Sequence, residues 1–81
     1  MDYILEVDTR YRNSNEYTIR RCVFKTYDEA CKKMVEELEK LNRQIMATDI
    51  TDVAGYTIEL REWVTGNKYK QVAKINYDLA L

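Results

Sequence analysis

The sequence predicts an α+β fold in which two β-hairpins form one four-stranded antiparallel sheet and a single amphipathic helix packs on one face. Apolar and polar side chains alternate in residues 2–25 and 56–77, as they do in half-buried strands. Residues 26–45 instead repeat apolar side chains every three or four positions, the spacing of one helical face. Since a helix and a sheet each bury one apolar side, this order predicts a single ββαββ domain over residues 1–81.

The first hairpin is predicted from the alternating runs 2–11 and 16–25, which flank the turn cluster Asn13-Ser14-Asn15. A three-residue loop sets a register with apolar pairs on one face and an ion pair on the other. Its pairs are Tyr11 with Tyr17, Thr9 with Ile19, Leu5 with Val23, and Asp8 with Arg20. Arg21 fits this register badly because it would point inward beside Val7, so a bulge or an edge position is needed to release it.

The helix is predicted to begin at a capping box. Thr26 and Glu29 have the S/T-x-x-E spacing in which the hydroxyl accepts from a helical N–H and the carboxylate reaches back. Apolar residues then form one stripe, and the opposite side is charged or polar. The stripe consists of Tyr27, Ala30, Cys31, Met34, Val35, Leu38, Leu41 and Ile45. We expect the helix to dock on the sheet through Met34, Val35, Leu38 and Leu41.

The second hairpin is predicted from a two-residue turn, Gly66-Asn67, between two alternating runs. Centring the pairing on this turn makes many cross-strand pairs chemically sensible at once. One face pairs Tyr56 with Tyr77, Ile58 with Ile75, Leu60 with Ala73, and Val64 with Tyr69, and the other pairs Glu59 with Lys74 and Trp63 with Lys70. Residues 46–54, which precede this hairpin, are predicted as a loop with a short helical turn.

Composition favours a cytoplasmic protein that has no contact with a membrane. The balance of 13 Lys+Arg against 14 Asp+Glu gives a net charge of -1, which argues against binding nucleic acid over the whole surface. The first residues, MDYILEVD, alternate as a strand does and do not resemble a signal peptide. No apolar run is long enough to span a membrane. Cys22 and Cys31 do not make a disulfide framework, and we expect small apolar core residues, although they could meet across the helix–sheet interface.

Motifs for catalysis are missing from the sequence. There is no histidine, which removes the commonest general base at neutral pH and the commonest zinc ligand. Gly55 and Gly66 do not form a phosphate-binding loop. Glu59 and Glu62 lie on a predicted strand, where charged cross-strand pairs explain them better than a catalytic dyad does. We therefore predict that the protein is not an enzyme and has no catalytic residues, metal or cofactor.

The sheet face opposite the helix is the predicted contact surface. It is expected to expose Ile4, Cys22, Phe24, Trp63 and Val72. Tyrosine and tryptophan are favoured at protein interfaces, although tyrosines also suit half-buried strands, and both interpretations stay open for Trp63. The candidate partner-binding residues are Trp63 on this face, Tyr11, Tyr17 and Tyr69 near the hairpin tips, and the basic residues Arg20 and Lys70. The first hypothesis is thus a small binding protein that covers a protein partner or forms a homodimer through this face.

A nucleic-acid-binding module is the alternative hypothesis. The predicted hairpins collect the basic residues Arg10, Arg12, Arg20, Arg21, Lys68 and Lys70. Interleaved with aromatic residues, such a set could stack bases and neutralise phosphates. Acidic residues on the helix, and the lack of an aromatic ribonucleoprotein motif, make this less favourable than a protein partner.

The strand-turn-strand opening, the helical segment FKTYDEACKKMVEELEKLN and the closing hairpin together resemble a known class of small proteins. These are the single-domain proteins that bacteriophages and mobile elements encode, including anti-CRISPR and other anti-defence inhibitors. The resemblance is one of layout over the whole chain, and no functional residue carries over from it. It implies an inhibitor that covers a surface of a host protein or ribonucleoprotein complex.

Overall fold

The computed structural model of the chain describes residues 2–12, 17–46 and 53–78. Its elements are β1 (Tyr3–Tyr11), β2 (Tyr17–Phe24), α1 (Tyr27–Met46), β3 (Val53–Thr65) and β4 (Lys68–Asp78). The strands form one antiparallel sheet in the order β2-β1-β3-β4, which confirms the predicted ββαββ layout. The predicted turn at residues 13–15 lies outside the described residues, as does most of the predicted loop at 46–54. β3 begins at Val53, two residues earlier than predicted.

The predicted capping box opens α1. The Glu29 amide donates to the Thr26 hydroxyl oxygen at 3.2 Å, and this hydroxyl donates to the Glu29 carboxylate at 3.1 Å. The carboxylate therefore reaches back to the Thr26 side chain. Asp28 and Glu29 place negative charge in the first turn, where the helix dipole favours it. Local chemistry is sufficient to define where this helix begins.

The core lies between α1 and the two central strands, β1 and β3. Its buried members are Leu5, Val7, Ala30, Met34, Leu41, Tyr56, Ile58 and Leu60. Leu38 packs against this cluster and is half-buried, so three of the four predicted docking residues contact the core. The prediction for Val35 was wrong, because its side chain is 52% exposed. Val35 follows Met34 on the helix, and the buried stripe is too narrow to include both.

The register of the first hairpin differs from the prediction by one residue. Leu5 pairs with Cys22 and Val7 with Arg20, so every side chain of β2 lies on the face opposite to the one predicted. Cys22 and Phe24 are therefore on the helix side of the sheet, where Phe24 packs against the core and Cys22 is exposed. The expectation that both lie on the opposite face, and that Cys22 is a core residue, was wrong.

Ion pairing explains why this register is preferred. In the observed register Arg21 lies opposite Glu6 and bonds to its carboxylate at 2.6 Å. Arg20 points to the helix side and reaches the Glu37 carboxylate on α1 at 2.9 Å. Both guanidinium groups thus find carboxylates, whereas the predicted register would have directed Arg21 against Val7. The mismatch noted for Arg21 in the sequence is resolved by the slip of the whole strand.

The second hairpin follows the prediction over most of its length. Residues 56–60 pair with residues 73–77 as expected, including Glu59 with Lys74. The turn at Gly66-Asn67 is also confirmed, and Gly66 has a φ of 55°, a left-handed conformation that glycine adopts without steric cost.

Two irregularities near the turn break the predicted pairing there. The register shifts between Leu60 and Arg61 and again between Trp63 and Thr65. As a result Trp63 pairs with Tyr69 and Glu62 with Lys70, so the predicted pairs of Trp63 with Lys70 and of Val64 with Tyr69 were wrong. Bulges of this kind add a residue to one strand, and alternation of polar and apolar residues does not reveal them.

The helix covers only part of the sheet. It packs on β1, β2 and β3, and in the part of the chain that the structure describes no Cα atom of α1 lies within 8 Å of one in β4. A helix with its side chains is about 10 Å wide, whereas four strands span nearly twice that width. Among the described residues, therefore, no element covers one face of the sheet, and a strip along β4 on the other face is uncovered too. Within the described ranges, no helix combines the length and apolar character needed to cross a membrane.

Candidate protein-binding face

The sheet face turned away from α1, called the open face below, collects residues from all four strands. Residues that pair across antiparallel strands point to the same side, so the registers define its members. They are Ile4, Glu6, Asp8, Arg10, Tyr17, Ile19, Arg21, Val23, Thr57, Glu59, Arg61, Trp63, Tyr69, Gln71, Lys74, Asn76 and Asp78. The face therefore has a charged centre with apolar residues along the β2 edge and at the second hairpin.

An ion-pair network occupies the centre of the open face. The Glu6 carboxylate accepts from Arg21 on β2 at 2.6 Å and from Arg61 on β3 at 3.1 Å. The Arg61 Nε atom lies 2.9 Å from the Glu59 carboxylate. Two acids and two bases thus alternate across three strands and compensate one another. A partner that covers this network would desolvate charges that are already paired, which lowers the cost of burial.

Asp8 lies beside this network, where its ionised carboxylate is disfavoured. Burial raises the pKa of Asp8, and the nearby charges of Glu6 and Glu59 raise this pKa further. Its Oδ1 atom is buried without a hydrogen-bond partner. A carboxyl whose pKa is higher in the folded state destabilises the fold as the pH rises above the ordinary range of aspartate. Ionised Asp8 therefore does not contribute stability to the fold at neutral pH.

A second polar cluster lies on the open face at the end where β1 finishes and β3 begins. Arg10 donates to the Thr57 hydroxyl at 2.6 Å and to the Asp78 carboxylate at 2.9 Å. Gly55 makes this placement possible, since a Cβ atom there would lie 2.5 Å from the guanidinium and 2.6 Å from the Tyr77 carbonyl oxygen. The absence of a side chain at one position lets an arginine lie across three strands.

Exposed apolar side chains border these clusters. Along β2 the outward residues are Tyr17, Ile19 and Val23, and Tyr17 is 64% exposed. At the second hairpin Trp63 is half-buried beside the exposed Tyr69, and its indole N–H donates to the Gly66 carbonyl at 2.7 Å. Ile19 and Val23 were not predicted for this face, because the predicted register turned them toward the helix. The signal of their true position was the poor fit of Arg21 in the predicted register, which pairing with Glu6 relieves.

The six predicted contact residues do not lie on one surface. Trp63, Tyr69 and Tyr17 belong to the open face, where Trp63 and Tyr69 are direct cross-strand neighbours. The registers put the other three, Tyr11, Arg20 and Lys70, on the helix side. The one-residue slip moved Arg20, and the bulges beside the turn moved Lys70. The open face therefore combines half of the predicted set with residues that were not predicted.

Tyr11 and Arg20 instead line a groove of about 550 Å³ between α1 and the β1–β2 hairpin. Arg20 bonds there to the buried Glu37 at 2.9 Å, and Lys33 lies 3.4 Å from the other carboxylate oxygen. Burial by itself would raise the pKa of Glu37, but the hydrogen bonds and charges of Arg20 and Lys33 outweigh it and lower this pKa. Arg20 therefore pairs with a buried carboxylate of this chain, and this pairing explains its position without a binding partner.

No group of three or more histidine, cysteine, aspartate or glutamate side chains in the described part of the chain could hold a metal ion. Comparison with known proteins adds no relative: no protein-family model matches the chain, and no curated protein or solved structure matches it either.

Proposed function

We propose that this chain is a small non-enzymatic binding protein that covers a surface of a protein partner with the open face of its sheet. We further propose that it is an inhibitor of the phage or mobile-element type, acting in the cytoplasm on a host protein or ribonucleoprotein complex. The observation that carries the first proposal is the composition of the open face. The support for the narrower one is the layout of the chain, and the two free thiols fit a reducing compartment.

The open face has the anatomy of an interface. Aromatic residues dominate binding energy at interfaces, and Trp63 and Tyr69 lie side by side there. The hydrogen bond from the Trp63 indole to Gly66 fixes the ring before any partner arrives, so less side-chain entropy is lost on binding. Ile19 and Val23 add aliphatic area along β2. Trp63 lies on β3, a central strand that also supplies core residues, and β2 and β4 are paired with the central strands, which holds the surface rigid.

A protein partner is favoured over nucleic acid because the arginines are engaged. Arg10 is paired with Asp78, Arg20 with Glu37, and Arg21 with Glu6. A phosphate backbone would have to compete with these carboxylates for the guanidinium groups. Acids also lie on both faces of the sheet, so neither face presents a continuous positive field.

Binding to single-stranded DNA or RNA should accordingly be weak and nonspecific. At physiological salt we expect no submicromolar affinity for a labelled oligonucleotide in fluorescence anisotropy. The double substitution Lys68→Ala with Lys70→Ala should leave this weak signal nearly unchanged, since Tyr69, the aromatic residue between them, lies on the open face whereas Lys70 lies on the helix side. Submicromolar binding that falls steeply with salt would favour the nucleic-acid hypothesis instead.

Trp63→Ala should weaken capture of the protein partner at least tenfold while leaving the fold intact. The substitution removes the largest ring on the open face, and that ring is outside the buried core. Affinity chromatography from a bacterial lysate, followed by titration with the protein that is captured, measures the loss. Circular dichroism and urea unfolding check that the domain remains folded.

Two variants make this test specific. Val35→Ala removes an exposed aliphatic side chain from the helix, on the other side of the molecule, and should not affect capture. Trp63→Phe keeps a ring but loses the bond to Gly66, and should be intermediate. Equal capture by the Trp63→Ala protein and the parent protein would contradict the proposed surface.

A further inference from the structure

The strip along β4 that α1 leaves uncovered has an apolar surface. On the helix side, Ile75 is half-buried and Tyr77 is 42% exposed. Both line a shallow groove together with Leu38 and Asn42 of the helix. Because β4 is the last strand of the sheet among the described residues, this strip ends at an edge whose outward backbone groups have no strand partner there.

The direction of those backbone groups follows from one hydrogen bond. The amide of Trp63 donates to the carbonyl of Asp2 at 2.8 Å, so the backbone N–H and C=O groups of Trp63 point toward β1. The direction of these groups alternates along a strand, so the N–H and C=O groups of residues 56, 58 and 60 point toward β4. On β4, the N–H and C=O groups of the paired residues Tyr77, Ile75 and Ala73 point back toward β3. The β4 residues that direct N–H and C=O groups away from the sheet are therefore Lys74, Asn76 and Asp78.

We infer that residues 74–78 of β4 pair antiparallel with the same segment of a second copy of this chain, about a two-fold axis at Asn76. In this register Lys74 of each copy lies opposite Asp78 of the other, on the open face. Ile75 of each copy lies opposite Tyr77 of the other, on the helix side. The Lys74, Asn76 and Asp78 backbones would exchange hydrogen bonds across the axis. The segment is thus complementary to itself in charge, in apolar contact and in backbone direction.

Charge selects this register over its neighbours. An axis at Lys74 would bring two lysines together, and an axis at Ile75 would put Lys74 opposite Asn76, with no ion pair. Of these three axes, only the one at Asn76 joins opposite charges at both ends without placing like charges opposite each other. The Asp78 side chain is 83% exposed, and its contact with Arg10 uses one of two carboxylate oxygens. The second oxygen is free to accept from Lys74 of the other copy.

The other edges of the sheet are less suited to self-pairing. β2 has Arg20 and Arg21 at its centre, so a two-fold axis at either residue places an arginine opposite its own copy. The turn end of β4 has a register shift between Leu60 and Arg61 and carries Lys68 and Lys70, features that keep edges apart. Pairing is therefore confined to residues 74–78, which lie beyond the shift and are regularly paired with β3.

This dimer is independent of the proposed partner, because it leaves the open face uncovered. A two-fold axis perpendicular to the sheet places both helices on the same side. The two open faces then form one continuous surface across eight strands. Two binding faces in one assembly would also strengthen attachment to a repeated or symmetric target.

Complementary charge reversals test the register. In a Lys74→Asp homodimer acids would face acids at both ends of the interface, and in an Asp78→Lys homodimer bases would face bases. Mixed one to one, the two variants would form a heterodimer with an ion pair at each end. In sedimentation velocity we expect the parent chain to dimerise, each variant alone to associate about a hundredfold less tightly or worse, and the mixture to recover dimers.

The matched control is Lys70→Asp, the same charge change on the same strand outside the proposed segment, and it should dimerise like the parent. A parent chain that stays monomeric at every concentration, or reversals that change nothing, would overturn the proposal. So would a mixture that fails to recover dimers. A dimer through the open face is distinguished by its loss in Trp63→Ala, a variant that should leave the β4 dimer intact.

Amide hydrogen exchange supplies a second test on the unmodified chain. The amides of Asn76 and Asp78 should be protected at high concentration and exchange faster on dilution. The amides of Ile75 and Tyr77, which bond to β3, should show no such dependence. Exchange at Asn76 that is independent of concentration would overturn the β4 dimer even if the charge variants failed to fold.

Discussion

Leu60→Ala should lower the free energy of unfolding by about 2–5 kcal/mol, most of the stability expected of a domain this small. Leu60 is 1% exposed on the central strand β3. It lies between Leu5 on β1 and Ala73 on β4, beneath the helix. Strands that are paired on both sides cannot easily close the cavity left by the missing side chain. Urea denaturation followed by circular dichroism measures the loss.

Two helix substitutions serve as controls for this result. Val35→Ala should change the free energy of unfolding by no more than about 0.5 kcal/mol, because the side chain is exposed. Leu38→Ala should fall between the two, since Leu38 is half-buried against the core. If Leu60→Ala unfolds at the same urea concentration as the parent, the core is not where the register puts it.

Arg20→Met should cost about 1–3 kcal/mol at neutral pH, a large effect for a residue on an exposed edge strand. Glu37 is 5% exposed, so removing Arg20 leaves a desolvated carboxylate with Lys33 as its remaining cation. The cost stays below that of a fully buried pair because the Arg20 side chain is half exposed, and water can take its place. Urea unfolding at pH 7 measures it.

Acid should reduce the difference between Arg20→Met and the parent chain. The pKa of Glu37 is lower in the folded state than its ordinary value. The stabilisation it provides is therefore complete above the ordinary range of glutamate and is lost as the pH falls through the lowered folded pKa. Below that point both chains carry a protonated Glu37, and their stabilities should converge.

A double substitution separates the ion pair from simple packing. Arg20→Met combined with Glu37→Leu removes both charges and should recover much of the loss, since an apolar pair can replace a buried ion pair at little cost. Glu36→Gln, next to Glu37 but more than half exposed, should have almost no effect. If the double substitution is as unstable as Arg20→Met, the unpaired charge of Glu37 is not what destabilises the Arg20→Met protein.

Local chemistry explains the parts of the fold that the sequence predicted correctly. The start of α1 follows from the hydroxyl and carboxylate of the capping box, groups three residues apart. The second hairpin follows from Gly66, whose left-handed φ defines the turn, and the pairs from Leu60 to Tyr56 match the prediction because the two register shifts nearer the turn cancel. Interactions between residues close in sequence determined these elements, so they could be predicted from a single amino-acid sequence.

Contacts distant in sequence decided the rest, and with it the candidate binding face. The slip of β2 depends on Arg20 reaching Glu37 on the helix, 17 residues away, and on Arg21 sharing Glu6 with an arginine from β3. A strand with apolar or aromatic residues on both sides, as β2 has, satisfies alternation in either register. The sequence by itself therefore determined that β2 is a strand. Which of its faces meets the helix, and hence that Ile19 and Val23 border the open face, was decided by ion pairs that exist only in the tertiary structure.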